Sequence, residues 1–299
     1  QCFIQQMKVV ADLFSEQHQA ALNVAWGDAE SINKLIEVNP QAFSAMNTAV
    51  GWYAKLPSEP TCDALQVSPA EWKVALVEIG QFRALTQQVS SNYLLAQSGN
   101  IAEKTAFSKS IDDIGASLRK LNYGSGAVPA PFTQEVLDSM FQLAEELSSW
   151  QDLLKVATAD ADASNVLSKG LNMLAQAETA YDTYMAKALD ETSLPAHRMN
   201  MASRQVMLAH KMLKEALLLQ LDGGLDSRAL DSTITEFETA LYKLKNGDSN
   251  VKAIIPERPD LKEQMTYVDE TWISFKEKVQ TLAEASGVDG GAGKATSSF

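Results

Sequence analysis

The sequence has few basic residues and no long apolar run. Its 299 residues include 25 lysines and arginines against 38 aspartates and glutamates, which gives a formal net charge of -13. This balance disfavours binding to nucleic acids and to anionic lipids, because phosphate groups are held through lysine and arginine. No stretch approaches the roughly 20 apolar residues that a membrane-spanning helix needs. The sequence therefore predicts neither a nucleic-acid partner nor membrane insertion.

Cysteine is nearly absent, since only Cys2 and Cys62 occur. The chain begins Gln1-Cys2-Phe3, without an initiator methionine or a signal peptide. An exported protein whose signal peptide has been removed would begin in this way, and so would a trimmed chain of any origin. We therefore expect a periplasmic or secreted protein. In that setting the two cysteines are expected to form one disulfide bond, with two unrelated thiols as the alternative.

Histidine is also scarce, and patterns typical of catalysis are missing. None of His18, His197 and His210 stands at metal-ligand spacing from a cysteine or another histidine. A partial phosphate-loop pattern near the C-terminus has Val288 in place of the required glycine and Ala295 in place of serine or threonine. The sequence predicts no enzyme class, no metal site and no cofactor.

Helix-forming residues are abundant. Ala, Leu, Gln, Glu, Lys and Met dominate the stretches between the nine prolines, and no stretch alternates with the period of a strand. The clearest helix start has Ser68 and Glu71 as a capping box, with Pro69 at the first helical position. The residues that follow repeat at spacings of four and three, the pattern of a bundle seam. These seam residues are Ala75, Ile79, Phe82, Thr86, Val89, Tyr93 and Ala96.

The chain contains an internal repeat. Residues 80–150 align with residues 203–272 at an offset of 123, with few identities but the same order of features. Each repeat has a helix, a loop, a helix, a glycine, a proline-containing loop and a helix with a tryptophan, Trp150 or Trp272. A repeat of this length indicates duplicated helical units, and long helices joined by short loops fold back on one another. The predicted fold is all-α, with tandem antiparallel four-helix bundles from an internal duplication.

These patterns divide the chain into four segments. We predict a helical extension at 1–67, a first helical module at 68–157, a second module with its leading helix at 158–286 and a flexible tail at 287–299. All nine prolines, Pro40 included, are predicted to lie at helix boundaries. The predicted seam of the second long helix consists of Met199, Ala202, Val206, Ala209, Leu213 and Ala216.

The start of that helix resembles a known signature. Met201-Ala-Ser-Arg-Gln-Val-Met-Leu-Ala-His-Lys-Met212 resembles the Ala-Gly-Arg-Gln-Arg-Met-Leu-Ser-Gln-Arg-Met signature of PilJ-type sensor domains. These domains are the extracytoplasmic part of type IV pilus chemoreceptors and are similar to the nitrate-sensing domains of NarX-like histidine kinases. The first repeat keeps other parts of the signature at 80–87. Both modules are therefore interpreted as degenerate PilJ-like copies.

The resemblance implies a ligand-binding role for several polar residues. In the nitrate sensors, an arginine just before the signature methionine holds the anion at a symmetric helix–helix interface. Arg83 stands at this position in the first repeat and Val206 in the second. An anion buried at such an interface needs fixed guanidinium or similar donors. The ligand-binding residues predicted on this basis are Arg83, Gln87, Arg204, His210 and Lys211.

Together these observations predict a non-enzymatic, exported, sensor-like helical module. It would bind a small ligand, such as a nitrate- or nitrite-type anion, and signal through a partner protein in the cell envelope. The alternative is a structural or adaptor component of a bacterial envelope or pilus-type assembly that has lost ligand binding. Enclosure of Arg83 among converging donors would favour the first hypothesis. Exposure of Arg83 beside a large apolar patch would favour the second.

Overall fold

The chain is helical throughout the part that the structure describes. This computed structural model describes residues 2–25, 30–53, 67–97, 100–125, 128–129, 133–156, 163–222, 227–249, 251–253 and 259–284. Within these ranges there is no strand, and the prediction of an all-α fold is confirmed. None of the described helices is both long and apolar enough to cross a bilayer. Two compact units are present, residues 1–67 and 68–299.

The first unit contains two helices, α1 (Cys2–Ala25) and α2 (Glu30–Tyr53), which pack against each other. Pro40 lies inside α2, so the prediction of a helix boundary there is wrong. Proline removes one backbone hydrogen bond, to the carbonyl group four residues earlier. That carbonyl belongs to Ile36, which is 66% exposed, so water can replace the lost donor. The side chain of Cys2 and all of Cys62 lie outside the described residues, and their disulfide bond stays a prediction.

The second unit begins with an antiparallel four-helix bundle. It consists of α3 (Pro69–Ala96), α4 (Ile101–Tyr123), α5 (Gln134–Val156) and α6 (Ala163–Glu191). The predicted capping box of α3 is present, with Ser68 and Glu71 exchanging hydrogen bonds. Every residue of the predicted α3 seam is buried. Helix α3 packs against α4 and α6, and α5 packs against α6.

Three more helices extend this unit. They are α7 (Ala196–Asp222), α8 (Arg228–Asn246) and α9 (Lys262–Glu284), and α9 follows a short 3-10 turn at Pro259–Leu261. Helices α8 and α9 both pack on α7. Their core includes Met207, Leu208 and Met212, together with the stacked rings of Phe237 and Trp272, whose centroids are 4.1 Å apart.

Helices α3 and α7 pack tightly against each other and run in the same direction. A Cβ atom on Gly80 would lie 2.7 Å from the Cβ of Ser203. Further along both helices, Lys214 Nζ donates a hydrogen bond to Gln87 Oε1 at 2.7 Å. Gly80 and Ser203 are equivalent positions of the two repeats. A local two-fold axis between the two repeats would bring equivalent residues of α3 and α7 against each other. The contact of Gly80 with Ser203 agrees with such an axis.

The register of the predicted α7 seam is wrong. Of its residues Ala216 is buried as predicted, but Ala202 is exposed and Val206 is 55% exposed. Met207, Leu208 and Met212 on another face are buried instead. On α3, which packs against α6, the equivalent residues Ile79 and Arg83 are buried, and Arg83 donates a hydrogen bond to Glu178 of α6. On α7, none of the described helices covers that face. The periodicity therefore marked an apolar face correctly but not the face that the core uses.

Candidate functional site

Arg83 is enclosed where α3, α6 and α7 meet. Its side chain is 0% exposed, and Nη1 donates a hydrogen bond to Glu178 Oε2 of α6 at 2.7 Å. Nη2 donates to Ser203 Oγ of α7 at 2.6 Å. The guanidinium carbon lies 3.8 Å from the centroid of the Tyr181 ring, which adds a cation–π contact. Because a buried charge without a partner is costly, this arrangement neutralises the arginine inside the protein.

Small residues make this enclosure possible. Gly80 lies one turn before Arg83 and contacts Ser203, so the axes of α3 and α7 approach closely at this point. The close approach brings the Ser203 hydroxyl within reach of the guanidinium group. Burial also raises the pKa of Tyr181 to about 12, although the charge of Arg83 opposes this rise. Tyr181 is therefore neutral at physiological pH and presents its ring face to the cation.

A second buried polar pair lies one turn further along α3. Gln87 is 0% exposed and Lys214 of α7 is 5% exposed, and Gln87 Oε1 accepts the hydrogen bond from Lys214 Nζ. The Gln87 amide group donates in turn to Thr86 Oγ1 at 3.2 Å. Among the described residues, no carboxylate forms a salt bridge with Lys214. Burial lowers the pKa of Lys214 to about 8, with Glu215 raising it and Lys211 lowering it to smaller extents.

The stability of the protein should rise with pH as Lys214 loses its proton. Between pH 8 and 10.5 the unfolded chain keeps a proton that the folded chain has released, so the free energy of unfolding increases by up to about 3 kcal/mol. The raised pKa of Tyr181 acts in the opposite direction only above pH 10. Urea unfolding between pH 7.5 and 10 measures the rise. We expect Lys214→Met to flatten it and the control Lys109→Met, which removes an exposed charge on α4, to keep it; equal slopes in the two variants would contradict this assignment.

The other predicted ligand residues lie elsewhere on α7. Arg204 forms an ion pair with Glu236 of α8, and both side chains are 39% exposed. Lys211 lies 3.8 Å from Glu215 on its own helix. His210 is half-buried, and burial lowers its pKa. The structure thus brings Arg83 and Gln87 together on α3 but places Arg204 on the α8 side of α7. Their roles in binding stay predictions.

Sequence reasoning missed four residues of this interface. Ser203 and Lys214 could have been found, because they are eleven residues apart. This spacing is about three helical turns and places both on one face of α7. Glu178 and Tyr181 gave no such signal. They belong to α6, which lies outside the two aligned repeats, and only the folded bundle brings them to Arg83.

A groove with both polar and apolar walls lies between α7 and α8, with a volume of about 800 Å³. Arg204 and Lys243 supply cations to its wall, but Glu236 and Asp248 pair with them. Its charges are therefore already balanced by neighbouring side chains. The groove is consequently a weaker candidate for an anion than the enclosed Lys214.

Comparison with known proteins identifies a family for the second repeat. Residues 190–294 match PilJ, described as the N-terminal part of type IV pili methyl-accepting chemotaxis transducers. A segment of 98 residues, 32% of this chain, is 32% identical to the methyl-accepting chemotaxis protein McpN of Pseudomonas aeruginosa and covers 18% of that protein. The comparison with solved structures found no match. The matches confirm the resemblance seen in the sequence: the region from 190 to 294, which includes α7, α8 and α9, is a PilJ-type domain.

Proposed function

We propose that this chain is an extracytoplasmic, non-enzymatic sensor module that binds a small anion between α3 and α7 and signals through a partner protein. The PilJ-type domain supports the coarser part of this proposal, a signalling sensor of the chemoreceptor type. The resemblance to nitrate sensors supports the anion, because those domains hold their ligand between two equivalent helices. In this chain α3 and α7 are the equivalent helices.

The buried Lys214 is the observation that carries the proposal. Lys214 is 5% exposed, and its ammonium group has the amide oxygen of Gln87 as its partner. Arg83 differs, because Glu178 already supplies a carboxylate where an anionic ligand would otherwise bind. A planar monoanion beside Lys214 would add the missing negative charge and could accept a hydrogen bond from the Gln87 amide group. We therefore assign nitrate- or nitrite-type binding to Lys214 and Gln87.

Calorimetric titration at pH 7 with sodium nitrate and sodium nitrite, at constant ionic strength, tests this assignment. Lys214 is protonated at that pH, so we expect binding heat and a raised unfolding temperature. Anion at 100 times its Kd should stabilise the folded state by about 2.7 kcal/mol. Lys214→Met should abolish both effects. Lys109→Met on α4 is the control, since it removes an exposed charge that is already paired with Asp113.

Two results would count against anion binding. One is binding of chloride as strong as that of nitrate, and the other is anion binding by the Lys214→Met variant as strong as that of the unchanged protein. Either result would rule out a specific site at Lys214. The structural or adaptor role would then be favoured, and one observation already agrees with it. An apolar face of α7 that includes Val206 is exposed, as expected for a surface that contacts another protein.

A further inference from the structure

We propose that the groove between α7 and α8 binds a small zwitterionic ligand of the amino-acid class. We call it the α7–α8 groove, and the residues that line it include Asn200, Met201, Arg204, Glu236, Ala240 and Lys243. Its volume of about 800 Å³ is sufficient for a ligand of this size. Lys214 does not line the groove, so this site is separate from the anion site between α3 and α7.

The same turn follows the equivalent helices α4 and α8. Gly124 and Gly247, which are 123 residues apart, have φ angles of 74° and 81°. Each glycine donates a backbone hydrogen bond to the carbonyl group of the lysine four residues earlier, Lys120 or Lys243. The two lysines are therefore held in equivalent places, and the α7–α8 groove can be compared with the α3–α4 interface residue by residue.

A buried carboxylate fills the α3–α4 interface of the first repeat. Glu78 of α3 is buried, accepts a hydrogen bond from Ser117 Oγ at 2.7 Å and lies 3.6 Å from Lys120 Nζ. At the same offset of 123, Met201 stands in place of Glu78, and Ala240 stands in place of Ser117. Both replacements line the α7–α8 groove. The second repeat has thus kept the lysine and lost the carboxylate and the hydroxyl group, which leaves space between its helices.

The walls of the α7–α8 groove carry charges of both signs. Arg204 forms an ion pair with Glu236, and Lys243 Nζ lies 3.1 Å from Asp248 Oδ2. The four side chains are between 24% and 41% exposed, so a ligand can reach them. A ligand with a single charge would leave one member of a pair without a partner. A zwitterion supplies both charges, so each charged group of the wall keeps an opposite charge beside it.

Asn200 adds an acceptor that has no donor. Its side chain lines the groove one turn before Arg204, and Nδ2 lies 3.7 Å from the sulfur atom of Met185. Its Oδ1 atom is buried and has no hydrogen-bond partner among the described residues. A buried acceptor in this state is costly, and an ammonium group offers three donors. The ammonium group of the ligand therefore binds Asn200 Oδ1 and the Glu236 carboxylate, and the ligand carboxylate binds Arg204.

The rest of the groove has room for a ligand side chain. Glu236 and Lys243 are seven residues apart, which is two helical turns or about 10 Å along α8. Between them, Met201 and Ala240 form an apolar part of the wall. A side chain that crosses this part brings its end to Lys243 and Asp248, which can bind a polar group. Amino acids with long polar side chains should therefore bind more tightly than glycine.

Thermal unfolding and calorimetric titration at pH 7 with the twenty standard L-amino acids test the site. At least one amino acid with a long polar side chain should raise the unfolding temperature, and glycine should bind about tenfold more weakly or less. The N-acetyl derivative of the best ligand lacks the ammonium group, and its decarboxylated amine lacks the carboxylate, so neither should bind. Binding by none of the twenty, or equal binding by the N-acetyl derivative, would overturn the proposal.

Substitutions locate the binding site. Asn200→Leu should weaken binding about tenfold or more, because it removes the acceptor for the ammonium group. Asn92→Leu on α3 is the matched control and should bind normally, since Asn92 is also half-buried and donates through Nδ2, to the carbonyl group of Ala106. Ala240→Leu should abolish binding by filling the groove. Lys214→Met should retain amino-acid binding, which separates this site from the anion site. Equal binding by the Asn200→Leu and Asn92→Leu variants would show that the ligand does not occupy the α7–α8 groove.

Discussion

Replacing Glu178 with glutamine should destabilise the protein by about 3 kcal/mol. Arg83 would remain charged and 0% exposed, because a guanidinium group does not release its proton at accessible pH. The glutamine amide could still accept a hydrogen bond from Arg83 but would supply no opposite charge. An uncompensated buried charge is among the more costly changes in a folded protein. Urea unfolding at pH 7 measures the loss.

The asymmetry of the ion pair makes this prediction specific. The Glu178 side chain is 25% exposed, so it can be hydrated when Arg83 is absent. We therefore expect Arg83→Met to cost less than Glu178→Gln, and the double variant to be more stable than Glu178→Gln alone. The matched control is Glu236→Gln, which breaks an Arg–Glu pair whose side chains are both 39% exposed, and should cost at most about 1 kcal/mol. Similar losses for Glu178→Gln and Glu236→Gln would refute the buried-charge explanation.

Local signals in the sequence were enough to predict most of the helices. The start of α3 was predicted from Ser68, Pro69 and Glu71. A capping box involves only four consecutive residues, so the sequence alone was enough to identify it. The leading helix predicted for the second module, which was placed at 158–286, is present as α6, Ala163–Glu191. Pro40 was misjudged because its effect depends on the surroundings of the carbonyl group that loses its donor. At an exposed position in α2 water can satisfy that group, and the sequence does not show the exposure.

Long-range pairing explains the parts of the site that could not be predicted. The resemblance placed Arg83 at a position that faces an equivalent helix, and in the structure Arg83 donates a hydrogen bond to Ser203 of α7. Its ionic partner Glu178 is 95 residues away on a helix without a repeat equivalent in the alignment. Lys214 was overlooked because periodicity marks an apolar face without showing which neighbour covers it. For the same reason the predicted seam through Val206 proved to be an open face.

Replacing Gly80 with alanine should destabilise the protein by about 2 kcal/mol, the opposite of the usual effect. Alanine in the middle of a helix normally gains up to about 1 kcal/mol over glycine. At position 80 the new Cβ would lie 2.7 Å from the Cβ of Ser203 and 2.8 Å from its Oγ. These atoms lie close to the backbone of α7, so the helices must separate. Separation loosens the packing between α3 and α7 and weakens the hydrogen bond from Arg83 to Ser203.

Two variants distinguish this close contact from a general intolerance of substitution. Gly115→Ala in α4 is the control, because its Cβ would meet only the side-chain ends of Gln151 at 3.3 Å and Arg119 at 3.6 Å, which can move. We expect this variant to be neutral or slightly stabilised.

Adding Ser203→Gly to Gly80→Ala should recover most of the loss, since removing the Ser203 side chain makes room for the new Cβ at position 80. Urea unfolding of the unchanged protein, Gly80→Ala, Ser203→Gly and the double variant measures the coupling. Because positions 80 and 203 are equivalent in the two repeats, strong coupling would support a local two-fold axis that brings each repeat's small residue against the other. Additive effects would show that α3 and α7 do not meet at these residues in solution.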